Sequence, residues 1–197
     1  ADGIPSDYCI AVNAHALARY AALCQDEGIV PIVEPEVLMD GGHSIERCDE
    51  VTRATLTRVF AELADQRVDL EGMLLKPNMV IPGKKHSGGK ASPDAVAEAT
   101  IRCFRDVVPA AVPGIVFLSG GQSDEEATAN LDAINKRGPH PWEFSFSYGR
   151  ALQAPALKAW GGSDDNIAAG QAAYFKRAKL NGAARFGTYE AAMEQAS

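Results

Sequence analysis

The sequence predicts an α/β fold in which helices flank a parallel sheet, and three observations predict it. Short apolar runs of about six residues alternate with longer stretches whose apolar residues recur at helical spacing. No linker, internal repeat or low-complexity tract interrupts the 197 residues, so the alternation reads as one unit. Each apolar run also ends in polar residues, at the end of the strand where parallel α/β sheets carry their ligands.

The elements follow in order. Ile10, Ala14, Leu17, Ala21 and Cys24 mark a leading helix over residues 6–27, with Gly28 as its stop. "IVPIVE" (29–34) is a first strand, although Pro31 lacks the N–H that an inner strand gives to its ladder. After the glycine-rich turn Asp40-Gly41-Gly42, a helix opens at Ser44, with Arg47 at N3 where a capping box would have an acid, and runs to about residue 66. "GMLLK" (72–76) is a second strand, followed by a loop of about fifteen residues containing "PGKKHSGGK". Ser92 and Pro93 form an N-cap and N1 pair for the next helix. "GIVFLS" (114–119) is a third strand before a helix over 123–136, and "WEFSFS" (142–147) is a fourth before helices over 151–159 and 164–180. The count is four βα units with a helix leading in.

Composition bounds the class. With 46% hydrophobic and 23% charged residues the chain is an ordinary globular protein, long enough to bury roughly 70% of its unfolded surface. A net charge of −7 argues against nucleic acid and anionic membranes as general partners, while leaving room for an anionic substrate at a local basic site. Cys9, Cys24, Cys48 and Cys103 form no CxxC or Cys/His cluster and are expected to be buried, reduced thiols. The start, "ADGIPSDYCIAV", has no basic region, and no apolar run approaches about 18 residues. This favours the cytoplasm, with a plastid as the alternative if a transit segment precedes the chain. His15, His43, His86 and His140 lack metal-ligand spacing, and Lys84-Lys85 reads as a solvated pair.

The strand ends carry the chemistry. Glu34 and Glu36 share a face of an extended chain, and Pro35 biases Glu34 toward extended geometry. Strand two ends in Lys76, also just before a proline. Strand three ends in Ser119-Gly120-Gly121 and strand four in Ser147-Tyr148-Gly149-Arg150, each leading into a helix. Free N–H groups at helix N-termini favour an anion, and a guanidinium fork suits phosphate. Together these residues read as a phosphate site beside an amine and two acids. Taken singly, Lys76 is equally consistent with a structural ion pair to Glu34 or Glu36, the Ser-Gly-Gly stretch with a plain tight turn, and Arg150 with a solvated side chain.

The motifs "GIVPIVEPE", "LEGMLLKPNMV", "FLSGGQS", "NLDAINK" and "FSYGRALQAPALKAWGG" occur in one colinear order. Together they resemble the class I fructose-bisphosphate aldolases. The resemblance covers nearly the whole chain except the tail "GTYEAAMEQAS". It implies a TIM (β/α)8 barrel of which residues 1–197 supply the C-terminal half, with strands five to eight and with C-terminal helices and tail from about residue 163. The leading half, with its own catalytic and phosphate-binding residues, would have to come from elsewhere.

The resemblance also assigns roles. Lys76 matches the Schiff-base lysine that attacks the ketone of fructose 1,6-bisphosphate, yielding dihydroxyacetone phosphate and glyceraldehyde 3-phosphate in glycolysis and gluconeogenesis. Glu34 matches the acid/base, and Glu36 the partner that hydrogen-bonds and positions the lysine. Ser119, Gly120, Gly121, Gly149 and Arg150 match the phosphate cradle, with Ser147 beside it. No metal or cofactor is implied, because the covalent iminium is the electron sink. A phosphorylated ketose is the implied partner and a homo-oligomer, commonly a tetramer, the implied assembly. Tyr189 is given no role. A half-barrel that binds phosphate or a protein partner without turnover is the alternative.

Overall fold

The computed structural model describes residues 3–195; Ala1, Asp2 and, from the predicted tail, Ala196 and Ser197 lie outside the described residues. The leading helix α1 (Asp7–Asp26) starts where its cap allows, because Ser6 accepts from the Cys9 N–H. It stops at Gly28, which sits at φ +69° while the Gly28 and Ile29 N–H groups donate to Gln25 and Cys24, closing the orphan carbonyls as a Schellman turn does. The first strand, β1, is only Ile32–Val33, shorter than predicted. Pro31 falls just before it and contributes its carbonyl, which accepts from Leu74. In a parallel ladder its missing N–H would have met the Gly72 carbonyl, and the Gln25 side-chain amide donates there instead, at 3.3 Å.

The remaining units repeat this pattern. Helix α2 (Ile45–Asp65), strand β2 (Leu74–Leu75), helix α3 (Pro93–Val107), strand β3 (Gly114–Phe117), helix α4 (Asp124–Lys136) and strand β4 (Glu143–Phe146) succeed one another. Ser44, Ser92 and Ser123 cap the three helices, and Ser123 with Glu126 forms a reciprocal capping box. Helices α5 (Arg150–Trp160) and α6 (Ile167–Arg185) follow, the latter preceded by a 3-10 turn at Asp164–Asn166 and running five residues beyond the expected end at residue 180.

All four strands pair in parallel in sequence order, β1-β2-β3-β4. Right-handed crossovers repeated in one direction put every connecting helix on the same face. Val33, Leu75, Ile115, Phe117 and Phe144 are accordingly buried against helix residues such as Leu56, Phe104 and Leu131. Phe117 stacks between Phe104 and Phe144, with ring centroids 5.9 and 5.4 Å away. The opposite face is bare: Val30 is 62% and Ile32 40% exposed, and Leu74 and Val116 are half-buried. Trp142 is buried at the start of β4, its Nε1 donating to the Pro109 carbonyl, whereas Trp160 is exposed on an apolar surface shared by α5 and α6.

One local reading is corrected. Cys48 and Cys103 are buried thiols, but Cys9 is exposed and Cys24 half-buried, because α1 turns only its alanines (Ala14, Ala18, Ala21) into the core. The tail is also held down. Buried Arg177 donates to both carboxylate oxygens of Glu194 at 2.7 and 2.8 Å, and Tyr189, itself buried, donates its hydroxyl to the same group. Burial and that neighbouring carboxylate push the Tyr189 phenol up to about 12.

His15, predicted to have no role, places Nδ1 3.0 Å from Glu62 and so ties α1 to α2. With Arg58, this hydrogen bond holds the Glu62 carboxyl below its ordinary 4.5. A depressed carboxyl contributes stability above its unfolded value and loses it as pH falls through the folded value. Glu62→Gln is therefore expected to flatten the loss of stability below about pH 4.5, read by urea denaturation across an acid pH series. Asp40, Glu46 and Glu126 are also depressed, so the slope should shrink and not vanish.

Candidate active site

The ladder brings the four strand ends to one level. The Lys76 N–H donates to the Val33 carbonyl at 2.7 Å, Leu118 to Pro77 at 3.2 Å and Ser147 to Phe117 at 2.9 Å. Side chains alternate across a strand. With Val33 and Leu75 pointing into the helix layer, Glu34 and Lys76 fall on the bare face. There Lys76 Nζ lies 3.0 Å from Glu34 Oε1, the lysine side chain 20% and the glutamate 42% exposed. Of the strand-end residues singled out in the sequence, these two are in direct contact.

Glu36 sits apart from the amine. Among the described ion pairs none joins it to Lys76, and its Oε1 instead lies beside Gly120, 3.0 Å from where a Cβ on that glycine would stand. Gly121 has φ +84°, and a Cβ there would fall 2.5 Å from Met39 Cβ. Both conformation and space therefore demand glycine, and the Ser119-Gly120-Gly121 turn passes tightly between Glu36 and Met39. Ser119 is buried, and its carbonyl accepts from the Gln122 N–H.

Ser147 is half-buried at the end of β4, and Gly149 is exposed with open space around it. Arg150 opens α5 as an exposed cation and makes no ion pair among those described. Buried Tyr148 donates its hydroxyl to the Ala127 carbonyl at 2.8 Å, anchoring this strand end to α4. Burial pushes its phenol well above the ordinary range, so it serves as a neutral donor.

The sequence reading missed a rim. The 39–43 loop is hydrogen-bonded to residues 83–85: Lys84 donates its N–H to Met39, Lys85 to Gly41 and Gly83 to His43. Lys84 is exposed, as read, and its Nζ lies 3.0 Å from Asp40. That contact holds the Asp40 carboxyl below its ordinary range, and the charge of Arg150 adds to the effect. The glycines of "DGGH" were the available signal, marking where the loop closes on its neighbour. Gly83 is confined by the Gly41 carbonyl, 2.2 Å from its would-be Cβ.

A separate cleft of about 410 Å³ lies between the 81–91 loop and the start of α4. It is lined in part by Lys84, Lys90, Gln122 and Glu126 and shares only Gly121 with the predicted constellation. Among the described residues, no group of three or more His, Cys, Asp or Glu side chains is placed to hold a metal ion, and no helix is long and apolar enough to cross a membrane. The strand ends thus hold an amine against a carboxylate. Beside them are two glycine turns at the starts of α4 and α5 and a guanidinium suited to an anion.

Comparison with known proteins identifies relatives of the chain. The family described as "Fructose-bisphosphate aldolase class-I" matches residues 1–197. The cytosolic fructose-bisphosphate aldolase 4 of Arabidopsis thaliana is 54% identical over 187 residues, covering 94% of this chain and 47% of the relative. Fructose-bisphosphate aldolase C of Rattus norvegicus is 55% identical over 191 residues, covering 96% and 52%. A solved fructose-bisphosphate aldolase from Plasmodium falciparum, in complex with TRAP and a small-molecule inhibitor, superposes with a TM-score of 0.92 at 50% identity, covering 94% of this chain and 53% of that one. The chain spans about half the length of these curated relatives. With a family match over its full length and relatives above half identity, the chain belongs to the class-I fructose-bisphosphate aldolases.

Proposed function

We propose that this chain is the Schiff-base half of a fructose 1,6-bisphosphate aldolase, a carbon–carbon lyase of the cytoplasm acting in glycolysis and gluconeogenesis. The observation that carries the reading is the 3.0 Å contact of Lys76 Nζ with Glu34 on the bare face of the sheet. A lysine must be deprotonated to attack a carbonyl, and Glu34 is the acceptor within reach. The neutral amine adds to the ketone C2 to give a carbinolamine. Loss of its hydroxyl as water, with a proton supplied by Glu34, leaves the iminium. Glu34 then takes the C4 hydroxyl proton as the C3–C4 bond breaks. The bonding pair moves into the iminium to form the enamine of dihydroxyacetone phosphate, and glyceraldehyde 3-phosphate leaves. Protonation at C3 and addition of water release the ketose phosphate and restore Lys76.

Ser119, Gly120, Gly121, Gly149 and Arg150, with Ser147 beside them, form the cradle for the C1 phosphate in this reading. Glu36 acts on the turn at Gly120 as much as on the lysine. The covalent iminium takes the place of a metal or other cofactor. In the proposed assembly residues 1–197 are strands five to eight of a (β/α)8 barrel. A leading half closes it against β1 and β4, and copies associate as a homo-oligomer. Sequential strand order, helices on one face and the exposed Val30 and Ile32 support this.

Borohydride reduction of the complete enzyme with dihydroxyacetone phosphate is expected to label the peptide containing Lys76. Lys76→Arg should abolish the label, because a guanidinium stays protonated; label confined to another lysine overturns the mechanism.

Arg150→Ala is expected to weaken binding of phosphorylated ketoses about ten- to a hundredfold, the value of a charge-assisted hydrogen bond, while leaving unphosphorylated fructose nearly unchanged. Competition binding with the two sugars measures this, and equal losses would make Arg150 structural.

Residues 1–197 expressed alone should self-associate through their open edges in a concentration-dependent way, as followed by sedimentation velocity. A stable monomer with one cooperative unfolding transition would overturn the half-barrel.

A further inference from the structure

Above Lys76 the ladder between β1 and β2 stops, and the reason is chemical. In a parallel pair, the rung after Lys76 N–H to Val33 would run from the N–H of residue 35 to the Lys76 carbonyl. Residue 35 is proline and has none. The segment carrying Glu34 and Glu36 therefore leaves the ladder just where its carboxylates must be aimed. The next link is made by a side chain: the Val37 N–H, the amide directly after Glu36, donates to Asn78 Oδ1 at 3.1 Å. Asn78 lies two residues beyond Lys76, so this bond ties the acid-bearing segment to the lysine-bearing one.

Asn78 is itself immobilised. It is 1% exposed, and its Nδ2 donates to Thr52 Oγ1 of α2 and to the Met79 carbonyl, both at 3.1 Å. Thr52 is also 1% exposed. A buried amide with both ends engaged has no second low-energy orientation. On the other side, the Leu118 N–H to Pro77 carbonyl bond fixes the lysine segment to β3.

We infer that Asn78 is a positioning residue: with Thr52 behind it, its side chain accepts from the Val37 N–H beyond the rung that Pro35 removes, ties the acid-bearing segment back to the lysine-bearing one and so sets Glu34 against Lys76. It touches neither the amine nor the phosphate cradle. The inference rests on the aldolase reading and deepens it. A site aligned by this bond loses turnover when the bond goes, but keeps its substrate affinity, because the cradle hangs from β3 and β4.

The test compares the complete enzyme with its Asn78→Leu and Thr52→Val variants. For Asn78→Leu the expectation is faster hydrogen exchange at the Val37 amide, a kcat about tenfold lower, as befits one buried hydrogen bond, and a KM for fructose 1,6-bisphosphate within about twofold of the unaltered value. Borohydride trapping of dihydroxyacetone phosphate on Lys76 should slow in parallel. Thr52→Val keeps the shape of the helix and removes one anchor of the amide. It should shift Val37 exchange and kcat in the same direction by about two- to threefold, and it decides the matter if Asn78→Leu does not fold. Unchanged Val37 exchange, or unchanged kcat per active site in the folded variants, overturns the positioning role. If the unaltered enzyme traps no adduct on Lys76, the aldolase reading itself falls, whatever Val37 exchange shows of the clamp.

Discussion

A parallel sheet wound in one direction imposes the constraint on which everything else depends. Each crossover is right-handed and each strand lies beside its predecessor, so the helices accumulate on one face and the other is left to the strands alone. The covered face takes the large buried strand residues Val33, Leu75, Ile115, Phe117 and Phe144. The bare face takes what a hydrocarbon core would reject, and Lys76 and Glu34 stand there in contact because alternation along the strand leaves them no other side. The lysine is thus no exception to the burial rule. It sits at a half-covered surface with the Glu34 carboxylate 3.0 Å from its Nζ.

Proline has an unusual part in this sheet. Pro31 precedes the first strand, Pro35 ends its ladder and Pro77 follows the lysine at the end of the second. Each removes a donor from the backbone; the Gln25 amide donates to the Gly72 carbonyl in place of Pro31, and beyond Pro35 the Asn78 side chain accepts from the Val37 amide. Hydrogen bonding that a regular strand would do anonymously is transferred to particular residues, and substitution can then reach it.

Much of this was legible in the sequence where the physics is local. Ser6, Ser44, Ser92 and Ser123 announced the helix starts, and each caps its helix through an amide three residues on. The i, i+2 spacing placed Glu34 and Glu36 on one face, and the end of the second apolar run brought Lys76 to the same level. What failed to show depends on partners far along the chain. Strand lengths are set by a ladder between segments about forty residues apart, so "IVPIVE" read as six residues where two pair. Nothing local to Arg177 marks it in the sequence, yet the tail folds back and buries it against Glu194. Asn78 stood in plain view in "LLKPN", but only the position of Thr52 shows what it holds. The resemblance placed Glu36 on the lysine, but its carboxylate lies against the neighbouring turn at Gly120.

The chain has two tryptophans, and they occupy opposite kinds of ground. Trp142 is sealed at the foot of β4, its indole N–H engaged by Pro109 and its ring edge-on to Phe144. Trp160 rests 40% exposed on the apolar surface between α5 and α6. The protein therefore carries two built-in fluorophores of different colour: a blue-shifted one inaccessible to iodide, which reports the integrity of the aromatic core, and a redder, quenchable one, which reports whether the C-terminal helices are covered. Emission spectra with and without quencher would separate melting of the sheet from uncovering of those helices in a single unlabelled sample.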